Sequence, residues 1–173
     1  MTAVNILEPS RPTFSGAILA LAPAATPTDI VTLQGAAGKI IRVHRIVISG
    51  LATTAGKLSF QLIRRSAANT AGTSAAVTAA ARDPLTDGAA SAVLTKYTAN
   101  PSALGTAVAT LEARKLLLAL AASSPDRLEF VFGRHGDKFL KLNGTSDYLA
   151  INCNGDTLPA GASLDINLEW SEK

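Results

Sequence analysis

The chain has 173 residues, of which 47% are apolar, 17% charged and 5% aromatic, with a formal net charge of +3. A chain of this length is one domain's worth and buries roughly 70% of its unfolded surface, so its core needs no covalent staple. The composition excludes a disordered chain, the single Cys153 excludes a disulfide framework, and no run of about 18 apolar residues marks a membrane span.

Residues 1–13 carry Pro9 and Pro12 and no sustained periodicity, which predicts an extended N-terminal arm. Ile6 and Leu7 give that arm something to bury against a neighbour, and Phe14 at its root is assigned the same role. Residues 16–25 are apolar but lack a preceding basic stretch, so they read poorly as a signal peptide. Pro23 and Pro27 predict a loop over 21–27, and the β-branched run 29–33 predicts a strand closed by the turn Gly35 to Gly38.

Residues 39–49, KIIRVHRIVIS, form the longest β-rich run, with broken parity. Ile41, Val43 and Val47 share one face, Arg45 interrupts them, and Ile46 and Ile48 lie opposite. A bulge, or a strand covered on both faces at one end, accounts for such a break. After a turn at 53–56, Leu58, Phe60 and Leu62 alternate cleanly with Lys57, Ser59 and Gln61. The same code recurs at Leu128, Phe130 and Phe132, at Leu149, Ile151 and Cys153, and at Leu164, Ile166, Leu168 and Trp170.

Residues 66–92 are an Ala, Thr, Ser and Gly tract punctuated by Asp83-Pro84 and Asp87-Gly88. They predict one long loop with a single helical turn, and a loop longer than about a dozen residues carries a function or a contact. Asp83, Pro84 and Leu85 are its candidate contact residues, and Tyr97 lies just beyond it. Residues 106–122 are ambiguous: Leu, Ala, Glu, Arg and Lys favour helix by propensity, whereas the surrounding strands favour strand, the reading adopted. From Phe132 onward, Asn143-Gly144 and Asn154-Gly155 supply positive φ angles, which predicts a four-stranded β-meander. Several short strands between such turns predict an all-β, antiparallel, jelly-roll-like sandwich over 14–173.

Chemistry is hard to find along this chain. His44, His135 and Cys153 are too dispersed for a zinc site. There is no nucleophile elbow and no phosphate loop. Asp126 with Glu129, and Asp165 with Glu169, fall on outward faces where charge is normally solvated. Cys153 alternates with apolar residues and reads as a small core side chain. The prediction is therefore a chain without catalytic residues, cofactor or metal; the Asn and Asp side chains of 152–156 are the one group of cation-binding type. Arg42, His44, Arg45, Arg64 and Arg65 cluster in sequence, but without the dense basic, aromatic-interleaved stripe of a nucleic-acid reader.

The stretches RIVISG, YTANPSALG and DINLEW, within a similarity running from about Thr28 to Glu172, resemble a group of small virion proteins of tailed bacteriophages. The resemblance implies a jelly-roll-type sandwich that decorates the capsid surface, binding the major capsid protein and copies of itself, with no catalytic residue to carry over. Closed cyclic symmetry on a capsid threefold predicts a homotrimer. Low charge and many small side chains, 32 of them Ala, suit close repetitive packing. The competing expectations are a tail, baseplate or adaptor component, and a carbohydrate-binding jelly roll using Tyr97 and Tyr148 as stacking platforms.

Overall fold

The computed structural model describes residues 11–120, 125–134 and 138–173, and its regular elements are all strands. They are β1 (Thr13–Leu21), β2 (Asp29–Gln34), β3 (Ile40–Ala52), β4 (Gly56–Arg65), β5 (Ser74–Val77) and β6 (Ala80–Ala81). β7 (Val93–Tyr97), β8 (Ala107–Leu120), β9 (Arg127–Val131), β10 (Leu140–Asn143), β11 (Tyr148–Asn152) and β12 (Ser163–Glu172) complete the set. The helix-or-strand ambiguity at 106–122 resolves as strand over Ala107–Leu120, because pairing with β4 along most of β8 outweighs local propensity.

Two sheets result. One runs β6-β1-β12-β3, with β9 and β10 lying end to end along the far edge of β3. The other runs β5-β7-β2-β11-β4-β8. The pairs are antiparallel except at one corner, where Leu51 and Ala52 of β3 run parallel to Ala119 and Leu120 of β8 and join the sheets. The fold is an all-β sandwich, as the alternation predicts.

Both apolar faces turn inward. Ile46, Ile48, Leu164, Ile166 and Leu168 line one side of the core, and Leu33, Leu58, Phe60, Leu62 and Ile151 the other, each at most 2% exposed. Full burial of a side chain of this kind contributes about 1.5–3 kcal/mol. Trp170 seals one end, its ring stacked on Phe14 with centroids 6.1 Å apart and its indole N–H donating to Glu172. The buried Glu172 carboxylate also accepts from the backbone N–H groups of Ser91 and Ala92, tying β12 to the start of β7. Gly16 lets the sheets close here, since a Cβ at that position would collide with Leu94 across the core.

The parity break in β3 is a bulge. Glu169 pairs with Arg45 but the next residue, Trp170, pairs with Val43, so His44 is the extra residue. Ile41 and Val43 are buried before it and Ile46 and Ile48 after it, which is why a strict period of two fails. The same residue separates β10 from β9 on the other edge, where its carbonyl accepts from Phe132 N–H.

Three expectations are corrected. The C-terminal strands are not a meander: β9 and β10 both pair with β3, β11 pairs with β2 and β4, and β12 returns to the first sheet. Gly144 and Gly155 do adopt positive φ, but their turns carry the chain from sheet to sheet, which sets the apolar faces of β11 and β12 against each other. Residues 66–92 are not one long loop, because β5 adds to β7 and β6 adds to β1; short Ala and Ser side chains let this backbone lie flat on the sheet edges. Of the arm assigned to 1–13, residues 1–10 lie outside the described residues, and Thr13 already pairs with Ser171 in β1.

A polar cluster fixes the second sheet from outside. Arg65 Nε and Nη2 donate to the two Asp29 carboxylate oxygens at 2.7 and 2.8 Å, with both side chains at most 5% exposed. Asn69 and Asn152 also donate to Asp29, while Arg65 Nη1 donates to Gly105 O and Asn69 accepts from Gly105 N–H. Each carboxylate oxygen thus has two donors, the condition under which a buried ion pair is tolerated.

Candidate interaction surface

β8 is 14 residues long and pairs with β4 from Ala107 to Leu118. Strands that long normally bury every second residue, yet in β8 only Leu116 and Leu118 are buried. From 107 to 111 both faces are exposed, with Val108 at 59% and Leu111 at 38%. Leu117 and Leu120 add 49% and 46% exposure further along. Two bulges opposite β4, at Val108 and Leu111, interrupt the regular ladder in this half of the strand.

Among the described residues, the edge of β8 away from β4 has backbone partners only at Ala119 and Leu120. A row of unpaired N–H and C=O groups flanked by apolar side chains is a ready template for another chain. Arg114 closes the gap to the first sheet below it: its guanidinium lies 4.8 Å from the centroid of the Phe130 ring and donates to Glu129 O. Beside it, Ser59, Phe60, Gln61, Ala113, Arg114 and Lys115 line an open depression of about 240 Å³. That is below the roughly 300–1,000 Å³ of a small-molecule site, so the shape suits a docked side chain better than a metabolite.

The opposite lateral edge carries a second feature. Asp83 accepts from Leu85 N–H at 3.1 Å and from the Thr86 hydroxyl at 2.6 Å, while Asp87 N–H donates to Asp83 O. The Thr86 hydroxyl first, then the Leu85 N–H, hold the Asp83 carboxyl below its ordinary range. This single capped turn presents Leu85 at 95% exposure. It is anchored by Arg82, whose N–H donates to Thr13 O and whose guanidinium pairs with Glu169 at 2.7 Å.

The predicted contact residues divide accordingly. Asp83, Pro84 and Leu85 stand together on the exposed turn. Phe14 is 2% exposed and packs on Trp170, so its surface is spent in the core. Tyr97 is 8% exposed and offers no face to a sugar ring. Ile6, Leu7 and His135 lie outside the described residues. Sequence reading did not pick out the β8 edge; its signal was the run TAVATLEARKLLLALAA, apolar without a clean period of either two or 3.6.

Other chemistry-bearing residues are committed to the fold. Burial pushes the Cys153 thiol far above its ordinary value, helped by the nearby Asp156 and Asp29 charges. Asn152 Oδ1 accepts from Asn154 N–H and Asp156 Oδ2 from Ser59 N–H, so one oxygen of each of these side chains is engaged within the fold. Among the described residues, no three His, Cys, Asp or Glu side chains gather as a metal site would require. No family model, curated protein or solved structure matches this chain.

Proposed function

We propose that this chain is a non-catalytic structural protein of a tailed-phage virion, a capsid decoration protein that binds and stabilises the major capsid protein lattice as a homotrimer. The observation that carries the reading is the first half of β8, exposed on both faces and unpaired along one edge. Such an edge is normally blunted by shortness or charge, whereas here it keeps Val108 and Leu111 in the open. The exposed Leu85 turn on the opposite edge gives the subunit a second, different surface. Unlike surfaces on opposite edges favour head-to-tail contact, which closes into a ring when the rotation permits. The carbohydrate-binding alternative is disfavoured because none of the eight aromatic side chains is exposed.

The test combines solution mass with particle occupancy. Light scattering over a concentration series should return a concentration-independent trimer, and the trimer should load onto capsid shells that lack it. Val108→Lys with Leu111→Lys should abolish loading while leaving the far-ultraviolet spectrum unchanged. Full loading by that variant would overturn the reading.

A further inference from the structure

A second surface lies on the other sheet, and nothing in the decoration reading uses it. Of the nine arginines, Arg45, Arg64, Arg65, Arg82, Arg114 and Arg127 sit in ion pairs with carboxylates. Arg11, Arg42 and Arg134 have no such partner among the described residues, and the three gather at one corner. Arg42 lies 5.9 Å from the centroid of the Phe139 ring, and His44 meets the same ring edge-on at 5.0 Å. Gly133, next to Arg134, packs so closely on Phe139 that a Cβ there would strike the ring. Lys138 adjoins Phe139 in the chain, and Lys141 is the direct cross-strand partner of Arg42. Arg11 is near enough for its charge to oppose protonation of His44.

Arg42 therefore lies against one half-buried aromatic ring, with Lys141 beside it in the strand register, Arg11 near His44, and Arg134 and Lys138 close to the ring along the chain. Arg42 Nε is buried without a hydrogen-bond partner among the described residues. A buried donor on a charged group left unpaired bears its desolvation cost uncompensated, and an incoming acceptor removes that cost. The corner is also bounded. Arg127, Glu129, Arg45, Glu169 and Arg82 form an alternating chain of ion pairs across the middle of the same sheet, at 3.3, 2.8, 4.0 and 2.7 Å. The cations of that chain are already paired with carboxylates, so the uncompensated positive charge on this face stands at the corner, which suits a short anionic segment.

We infer that the Arg11, Arg42, Arg134, Lys138 and Lys141 corner around Phe139 is a docking site for a short acidic peptide segment of a partner protein. Arginine supplies the planar fork that grips a carboxylate, and the lysines supply mobile point charge around it. The Phe139 ring lies within cation–π reach of the Arg42 guanidinium.

The experiment is a fluorescence-anisotropy titration of the full chain against a labelled oligoglutamate peptide, at low and at high ionic strength. Saturable binding at low salt, lost at high salt, is expected. The exposed double reversal Arg134→Glu with Lys141→Glu should weaken binding by about tenfold or more, as removal of complementary charge does. The control Lys57→Glu with Lys96→Glu makes the same change in net charge on the other sheet and should leave affinity within about twofold. Absence of low-salt binding, or equal loss in both double variants, would overturn the proposal. Tighter, corner-dependent binding of a labelled oligothymidylate of equal length would also overturn it, in favour of nucleic acid. The test is separate from capsid loading, so either proposal can fail alone.

Discussion

β12 and β8 are both long strands, of 10 and 14 residues, and they meet opposite fates. β12 has β1 on one edge and β3 on the other, and buries Leu164, Ile166, Leu168 and Trp170 in strict alternation. β8 has β4 on one edge, a two-residue contact with β3 at its end, and only two buried residues. β8 is the more apolar of the two by composition, with ten apolar residues of its 14 against four of the ten in β12. What separates them is whether an opposing sheet lies over the strand, which is a property of topology and not of propensity. β12 holds the core together; the first half of β8 contributes no buried side chain to it.

The sharpest way to break this contrast is Trp170→Ala. Removing a fully buried indole and its stacking on Phe14 should cost about 3–5 kcal/mol, read as a loss of midpoint in denaturant unfolding. A change of comparable size is expected on the second sheet for Asp29→Ala. It leaves the Arg65 charge buried and unpaired and should cost about 3–5 kcal/mol, measured in the same way.

Between the extremes lies His44, at the bulge beside β12, where Nε2 meets Ser171 Oγ at 2.8 Å. Burial lowers its pKa from the ordinary 6.5, the Glu169 charge opposes that, and Arg11 reinforces it. A histidine held below its unfolded value stabilises the fold fully above that value, and the contribution fades as pH falls through the folded one. Melting temperature should therefore drop as pH is lowered below about 6.5. His44→Gln should flatten that segment of the curve, and an unchanged curve would contradict the assignment.

Cys153, on β11's inward face, should resist alkylation at mildly alkaline pH and react once denaturant is added, read by intact mass. The smallest effect belongs to β8. Val108→Lys with Leu111→Lys should shift stability by no more than about 0.5 kcal/mol per site, because neither side chain is buried. Equal sensitivity of β8 and β12 to substitution would erase the distinction.

The sequence carried the inward faces of β4, β11 and β12 plainly, because one covered face imposes a period of two. It also carried the His44 bulge, though only as an anomaly in parity. It did not carry the pairing order. Turns such as Asn143-Gly144 look alike whether the chain reverses within a sheet or crosses to the next one. Nor did it carry the Asp29–Arg65 contact, whose partners are 36 residues apart and individually look like surface charge. Asp83, Pro84 and Leu85 were legible as a loop tip because Asp-Pro punctuates the tract. The β8 edge was not, because an exposed apolar strand obeys no burial pattern.

The measurement that bears most directly on the central claim is amide hydrogen exchange of residues 107–113, compared between the free chain and the chain loaded on capsid shells. The outward amides of this segment should exchange rapidly in the free chain while those of β12 stay protected. On loading, protection should appear over 107–113. Exchange there that stays as fast on the particle as in solution would contradict the assignment of β8 as the docking edge.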